Sequence, residues 1–429
     1  VQANEFRSDD DFDLYGLVFK FYVIVCFFSA FVKQWINSPL LNFLDDAVLL
    51  ALFFLAIIEV KPAIKRWGGL QFGIVSFIGL SIFIAAVSSS GIAAALMQLR
   101  QYKNIFLLFL LLDKKHYQFA LDVLEVMLYV SIPVSILQFT QMKHWDEVTG
   151  LFGYGATGTV SILMVFFVVR SFAQRLLTGQ RMVGWYMILP VLSLLNETKI
   201  TFVLLPILII SVVIVSGRVK FDKVVLLFLA AVPFLYYANL QYEIEFGRTL
   251  TESFTYENLY DYLWGDDYYI YANYFAGQEE FNDPGRLARI KAAIDAIFAN
   301  GTFSSIFGYG MGASYAGGES GIYGLIAADF VGTALNTGSR VQAAHVLIDF
   351  GFIGLIFIIC LIFYILYISG RRIASDRYYL QLDVFIMSMI LFFCLVYQNI
   401  LFSKEFTVLY FVAMTIFLGD LRNEKADNS

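Results

Sequence analysis

Charge is what this chain is shortest of. Asp, Glu, Lys and Arg make up 15% of its 429 residues, against roughly a quarter in an ordinary water-soluble domain. Hydrophobic residues make up 59%, with 44 Phe, so a soluble globular protein is excluded. An excess of positive charge is also missing: the net charge is −6 and no basic patch clusters on one predicted face, so nucleic acid is not an expected partner. Cysteine is rare, and Cys26, Cys360 and Cys394 all lie in apolar runs with no CxxC. That pattern reads as small hydrophobes rather than a disulfide framework. There are three histidines, with no HExxH and no pair at ligand spacing, and Gly265-Asp-Asp267 reads as a plain turn, so no metal site is expected. A Walker A motif and a dinucleotide fingerprint are absent too. No cofactor is expected, and ATP coupling has no support.

What fills the chain is apolar sequence in runs of about 20 residues, enough to cross about 30 Å of hydrocarbon as helix, without the two-residue alternation of a barrel. The expected fold is therefore an all-α integral membrane protein. Twelve spans are predicted, at 14–33, 40–60, 70–90, 93–112, 118–140, 156–173, 183–197, 200–216, 223–241, 345–368, 383–401 and 405–420. With Val1 to Asp13 polar and acidic, the first span reads as an uncleaved signal anchor. Cations in short loops orient the set. Lys61, Lys65 and Arg66; Lys114 and Lys115; Arg175 and Arg181; Arg218, Lys220 and Lys223; Arg371, Arg372 and Arg377; and Arg422 with Lys425 fall on alternate connections. Those connections are predicted cytoplasmic, with both termini.

The opposite face then receives the one long water-compatible stretch, from about Gln241 to the apolar run at His345. The predicted organisation is spans 1–9 over 1–242, a large outside loop over 243–344, and spans 10–12 with a tail over 345–429. Inside the loop, Asp283-Pro-Gly-Arg286 reads as a turn and helix start. A helix is predicted over Leu287–Ala299, with Leu287, Ile290, Ala293, Ile294 and Ile297 as a stripe that packs on the membrane domain. Arg289 and Lys291 fall on the face expected to meet solvent. Phe307-Gly-Tyr-Gly-Met-Gly312 follows as a glycine-rich turn. The aromatics of 256–275 read either as interfacial belt residues or as a sugar-stacking platform.

Polar residues that could do chemistry gather on this same face. Arg100 lies within an apolar run beside Gln98, where a cation costs at least about 2.5–3.5 kcal/mol and so faces protein or a wet cavity. His345 and Asp349 are four apart on a predicted helix and share a face, so the carboxylate could orient an imidazole able to take a proton. Gly351 and Gly354 then read as a small-residue ridge for close helix contact. Arg286, Arg289 and Arg340 bracket the histidine in the chain, and guanidinium groups grip phosphate oxygens two at a time.

Taken together, several of these segments resemble the bacterial O-antigen polymerase and O-antigen ligase family, the Wzy-type proteins that act on undecaprenyl-diphosphate-linked glycans. Thr149-Gly-Leu-Phe-Gly-Tyr-Gly-Ala-Thr-Gly158 is similar to its glycine-containing loop before a middle span. Asn196-Glu-Thr-Lys199 sits where it has a short cationic turn. Gly285-Arg286 with the following helix and Phe307-Gly-Tyr-Gly310 resembles its large-loop pattern, and His345 to Gly354 its histidine and acidic-Gly-x-x-Gly helix. One departure stands out: in the family the histidine precedes that glycine by about ten residues, whereas only five separate His345 from Gly351, and Arg340 occupies the position eleven before it. The base is therefore His345, Glu197 or Asp349.

The resemblance implies an inverting, metal-independent glycosyl transfer at the periplasmic face of the bacterial inner membrane. His345, Arg286 and Asp349 would be catalytic, and Arg100, Lys199, Arg289 and Arg340 would hold the diphosphate. The expected partners are lipid-linked oligosaccharide donor and acceptor, membrane lipids, a flippase and a chain-length regulator. A polymerase of O-antigen or exopolysaccharide repeat units leads. A ligase moving a finished glycan to another envelope acceptor shares the same leaving group. A transporter or flippase would instead place ionisable residues at the bilayer midplane, and here they lie toward one face.

Overall fold

The computed structural model describes residues 13–36, 41, 43–59, 68–87, 91–141, 149–153, 156–178, 200–217, 286–299, 301–317, 322–323, 341–373 and 378–427. The predicted spans 183–197 and 223–241 lie outside them, as do Lys199, Glu197, Arg340, His144 and the aromatic stretch 256–275.

The protein is a bundle of helices embedded in a membrane. Its long elements are α1 (Leu14–Trp35), α2 (Leu44–Glu59), α3 (Gly69–Val87), α4 (Ile92–Gln101), α5 (Lys114–Gln141), α6 (Thr157–Thr178) and α7 (Ile200–Ser216). After the large predicted loop come α8 (Arg286–Ala299), α9 (Thr302–Phe307), α10 (Gln342–Ile373), α11 (Tyr378–Tyr397) and α12 (Lys404–Asp427). A two-residue antiparallel pairing, Ala316–Gly317 with Ile322–Tyr323, is the extended structure among the described residues. Six helices among those residues are long and apolar enough to cross a bilayer: α1, α3, α5, α6, α10 and α11.

The packing is that of a protein dissolved in lipid. Helix α1 begins where Asp13 Oδ1 accepts from the Gly16 amide at 3.1 Å, satisfying one of the orphan donors of its first turn. It buries Phe19, Tyr22 and Cys26 while leaving Leu17 and Phe21 about half exposed. In water that outward stripe would be unstable; against acyl chains it costs nothing. Inside, α10 lies along α11, α6 along α7 and α11, and α12 against α5.

Two sequence expectations are corrected here. The run 93–112 is not one helix: α4 ends at Gln101, and Lys103–Phe109 continues as a 3-10 turn. The break puts Lys103 and Asn104 into the interior, where each finds polar partners on other helices. Gly351 does allow close contact, lying against the Ile306 backbone of α9, but it does so as a kink in α10, with φ +64° and ψ −163°, and not as part of a straight helix ridge. In addition, α8 packs on α10 as its stripe predicts, but turned so that Ala288, Ala292 and Ala296 join Ala293 and Ile297 in the interface. That rotation takes Arg289 out of the solvent, leaving it 2% exposed.

Candidate functional site

The site forms where the Phe307–Ser314 turn meets the kink in α10. At Gly351 the helix ladder is interrupted, so the carbonyls of Ile348 and Asp349 need donors from elsewhere. They receive the amides of Tyr309 at 2.9 Å and Gly310 at 3.1 Å. The Met311 amide reaches the Ser81 carbonyl of α3 at 3.2 Å. Three glycines make this possible. A Cβ on Gly308 would lie 2.6 Å from the Gly351 nitrogen, on Gly310 2.2 Å from the Ala85 nitrogen, and on Gly312 2.4 Å from the Ala94 carbonyl carbon. Each also has positive φ, which side chains resist. The turn thus ties α3, α4 and α10 together, and it delivers Ser314.

Ser314 brings the two predicted α10 residues into one arrangement. Its amide donates to Asp349 Oδ1 at 2.9 Å, and its hydroxyl sits 2.9 Å from His345 Nδ1. The Ala313 amide donates to the Gly310 carbonyl at 3.2 Å, closing the turn just before Ser314. His345 and Ser314 are each 5% exposed and Asp349 is fully buried. Asp349 Oδ2 finds no hydrogen-bond partner among the described residues. The carboxylate therefore organises the turn, and Ser314 stands between it and the imidazole.

Around the histidine, Phe402 lies 5.2 Å away, ring centre to ring centre, and Tyr102 packs edge-on to Phe402 at 5.1 Å. The Tyr102 hydroxyl accepts from Gln342 Nε2 at 3.3 Å. This pair stands at one end of an apolar cavity of about 110 Å³ that follows α3 and α10 past Phe77 and Phe357 to Leu70 and Ile365.

Of the predicted cations, Arg286 opens α8, where its Nε donates to the Tyr397 carbonyl at 3.1 Å and its guanidinium lies 4.8 Å from the Tyr397 ring centre. The next residue, Gln398, donates to Thr159 at 3.2 Å, which places Arg286 near the N-terminus of α6. Because α8 rests on the first turns of α10, Arg286 and His345 belong to one end of the bundle. Arg289 is buried behind that helix face. Arg100 takes a different role: its Nε pairs with Asp46 and its guanidinium lies over Phe43.

Arg100 belongs to an ion cluster that sequence reading did not assemble. Lys103 reaches Asp45 at 2.6 Å and also pairs with Asp46, and Lys404 reaches Asp45 at 2.6 Å. Residues 102–103 and 402–404 serve both regions, sending Tyr102 and Phe402 toward His345 and Lys103 and Lys404 toward Asp45. The Thr149–Gly158 loop is largely structural where described: Gln138 Oε1 accepts the amides of Thr149 at 3.1 Å and Gly150 at 2.8 Å. Among the described residues, no group of three His, Cys, Asp or Glu side chains could hold a metal ion. Ser314, Gln342 and Phe402 carried no signal in the sequence, since a hydroxyl after a turn, an amide at a helix start and an aromatic in an apolar run are ordinary; Tyr102 was visible only as one of the polar residues that follow Arg100.

Comparison with protein-family models, with curated proteins and with solved structures gives no match. The reading that follows rests on the residues themselves.

Proposed function

We propose that this protein is a polymerase that joins undecaprenyl-diphosphate-linked repeat units into O-antigen or exopolysaccharide, by inverting glycosyl transfer at the periplasmic face of the inner membrane. The observation that carries the reading is that α8, which opens with Arg286, packs on the first turns of α10, which carry His345. A proton acceptor and a phosphate-binding cation are the two groups this displacement needs. Topology with twelve spans, both termini cytoplasmic and the 243–344 loop outside is part of the same proposal.

In this mechanism His345 takes the proton of the acceptor hydroxyl as its oxygen bonds to the anomeric carbon. The bond from that carbon to the diphosphate breaks, and the electron pair leaves with the phosphate oxygen. One displacement inverts the configuration. Arg286 stabilises the charge that develops on the leaving group, with Lys199 and Arg340 as further cations. Arg289 and Arg100 contribute less directly, the first because it is buried and the second because Asp46 already engages it. The apolar cavity beside α10 offers room for part of the prenyl chain.

The test is glycan chain length in a strain lacking the protein, complemented with wild type, Arg286→Ala or His345→Ala, each checked for expression and folding. Wild type is expected to restore long polymer and both variants to leave single lipid-linked units. Long polymer that accumulates on its carrier in the null strain would identify a ligase and overturn the polymerase.

A further inference from the structure

We propose that the C-terminal end of α8 and the whole of α9 form an anchor lying in the membrane interface, with Phe298, Phe303 and Ile306 inserted among the lipid chains of the leaflet beside the kink in α10. The partner is the bilayer itself, at the boundary between headgroups and hydrocarbon. This anchor goes beyond the polymerase reading and stands whatever the protein acts on.

The side chains of this corner are sorted the wrong way round for water. Phe298 is 58% exposed, Phe303 64% and Ile306 38%, while Ser304 and Ser305 of α9 are buried. Phe298 lies 5.9 Å from Phe352 of α10, ring centre to ring centre. One turn on from Phe352, on the same helix face, Ile356 is 58% exposed, so the outward strip runs from the α8 end onto a helix apolar enough to cross a bilayer. Depth can be counted along that helix. Its far end carries Arg371 and Arg372, cations of the kind that reach for the interface. About 20 residues of helix cover about 30 Å of hydrocarbon, which counts back from Arg371 to Gly351. The Ile306 backbone of α9 abuts Gly351, at that boundary. Phe352 and Leu355, both packed on the cluster that α8 forms with α10, fall on its hydrocarbon side. The backbone agrees. A helix end in water can leave its last carbonyls to the solvent, whereas in lipid they need donors from the chain. Here the Tyr309 hydroxyl donates to the Ala296 carbonyl at 2.8 Å, the Ser304 hydroxyl to Ile297 at 2.8 Å and the Gly301 amide to Phe298 at 3.1 Å. Further back along α8 the exposed residues are Lys291 and Asp295, which belong in water. Their charges are opposite, so apolar insertion and not attraction to anionic headgroups holds the anchor.

Nitroxide labels read this depth in the full-length protein reconstituted in phosphatidylcholine vesicles. Cys360→Ala removes the exposed thiol, and Cys26 and Cys394 are buried, so the label goes to one added cysteine. The added sites are Phe298→Cys, Phe303→Cys and Ile306→Cys, with Lys291→Cys as the aqueous reference. Power saturation compares collisions with oxygen, which concentrates in hydrocarbon, and with a water-soluble nickel chelate. The oxygen-to-nickel ratio is expected to be several-fold higher at each of the three anchor positions than at Lys291→Cys, and to stay the same when phosphatidylglycerol is added. Ratios at all three positions equal to the reference would put the corner in water and overturn the proposal. Immobile labels that neither reagent reaches would mean that protein, from this chain or a second copy, covers the patch, and would overturn it too. A high ratio that needs phosphatidylglycerol would replace apolar anchoring with charge attraction and overturn it in that form.

Discussion

At the scale of single residues, the argument turns on how close backbone approaches backbone. Gly310 and Gly301 share a positive φ, +90° and +95°, yet a Cβ on Gly310 would sit 2.2 Å from the Ala85 nitrogen while one on Gly301 meets nothing within 4 Å. The two therefore separate conformational strain from collision. Gly301→Ala is expected to cost about 2–3 kcal/mol, because φ +95° with ψ −174° lies in the extended positive-φ region that essentially only glycine occupies. Gly310→Ala adds about 1–3 kcal/mol of overpacking to positive-φ strain and is expected to cost about 3–5 kcal/mol. Thermal unfolding of the purified protein, followed by tryptophan fluorescence, checks the difference; equal losses would mean the turn is not wedged against α3. The sequence announced the Phe307–Gly312 turn through its glycines, because the need for positive φ is written in residue type. It could not announce what the turn touches. Ser314 was invisible for that reason: its role comes from landing beside His345, 31 positions away.

At the scale of elements, hydropathy found most of the helices, since burial in lipid selects apolar residues whatever the tertiary contacts. Breaks were harder to see. The apolar run 93–112 gave no sign that α4 stops at Gln101, because the 3-10 turn beyond it is just as apolar apart from Lys103 and Asn104. Those two residues are the trace of the break, and they read as membrane-edge polarity until their partners are known. The kink in α10 was likewise hidden behind a glycine that suits close helix packing equally well. Its function is to free acceptors for the turn. Gly351→Ala favours a straight helix by about 1 kcal/mol and would set a Cβ 2.4 Å from the Ile306 carbonyl oxygen. The Tyr309 and Gly310 amides should then lose their α10 acceptors. Faster hydrogen exchange at these two amides, with α11 unchanged, is the expected result; unaltered protection would show that the kink does not depend on the glycine.

At the scale of the whole molecule, polar residues are sorted to two ends of the bundle. Helix α1 spans the distance: its early residue Phe19 packs on His116 at 4.8 Å, while Ser29, further along, meets Lys404 at 3.2 Å. Near the first end Arg170 and Tyr117 both bind Asp383, at 2.9 Å and 2.8 Å. Near the other lie the Asp45 cluster and the His345 site. Outside that first end, Asp113 forms hydrogen bonds with His116 that outweigh partial burial and hold its carboxyl below the usual carboxylate value. The Asp45 cluster joins α2, the 3-10 turn and α12, whose sequence positions are too far apart for any local pattern to connect. Asp45 is fully buried between Lys103 and Lys404, so its removal leaves two cations sharing what Asp46 and Ser29 can offer. Breaking one side of such a pair costs about 3–5 kcal/mol, whereas replacing both sides with apolar groups often costs far less. Asp45→Leu is accordingly expected to destabilise the protein by about 3 kcal/mol, and Asp45→Leu with Lys404→Met by roughly half of that, a coupling beyond the scatter of additive sites. Unfolding of both single variants and the double variant in the same detergent measures it. If the double variant loses the sum of the two single losses, Asp45 and Lys404 do not support each other. The cluster would then owe its place to Lys103, whose neighbour Tyr102 stands on the path to His345.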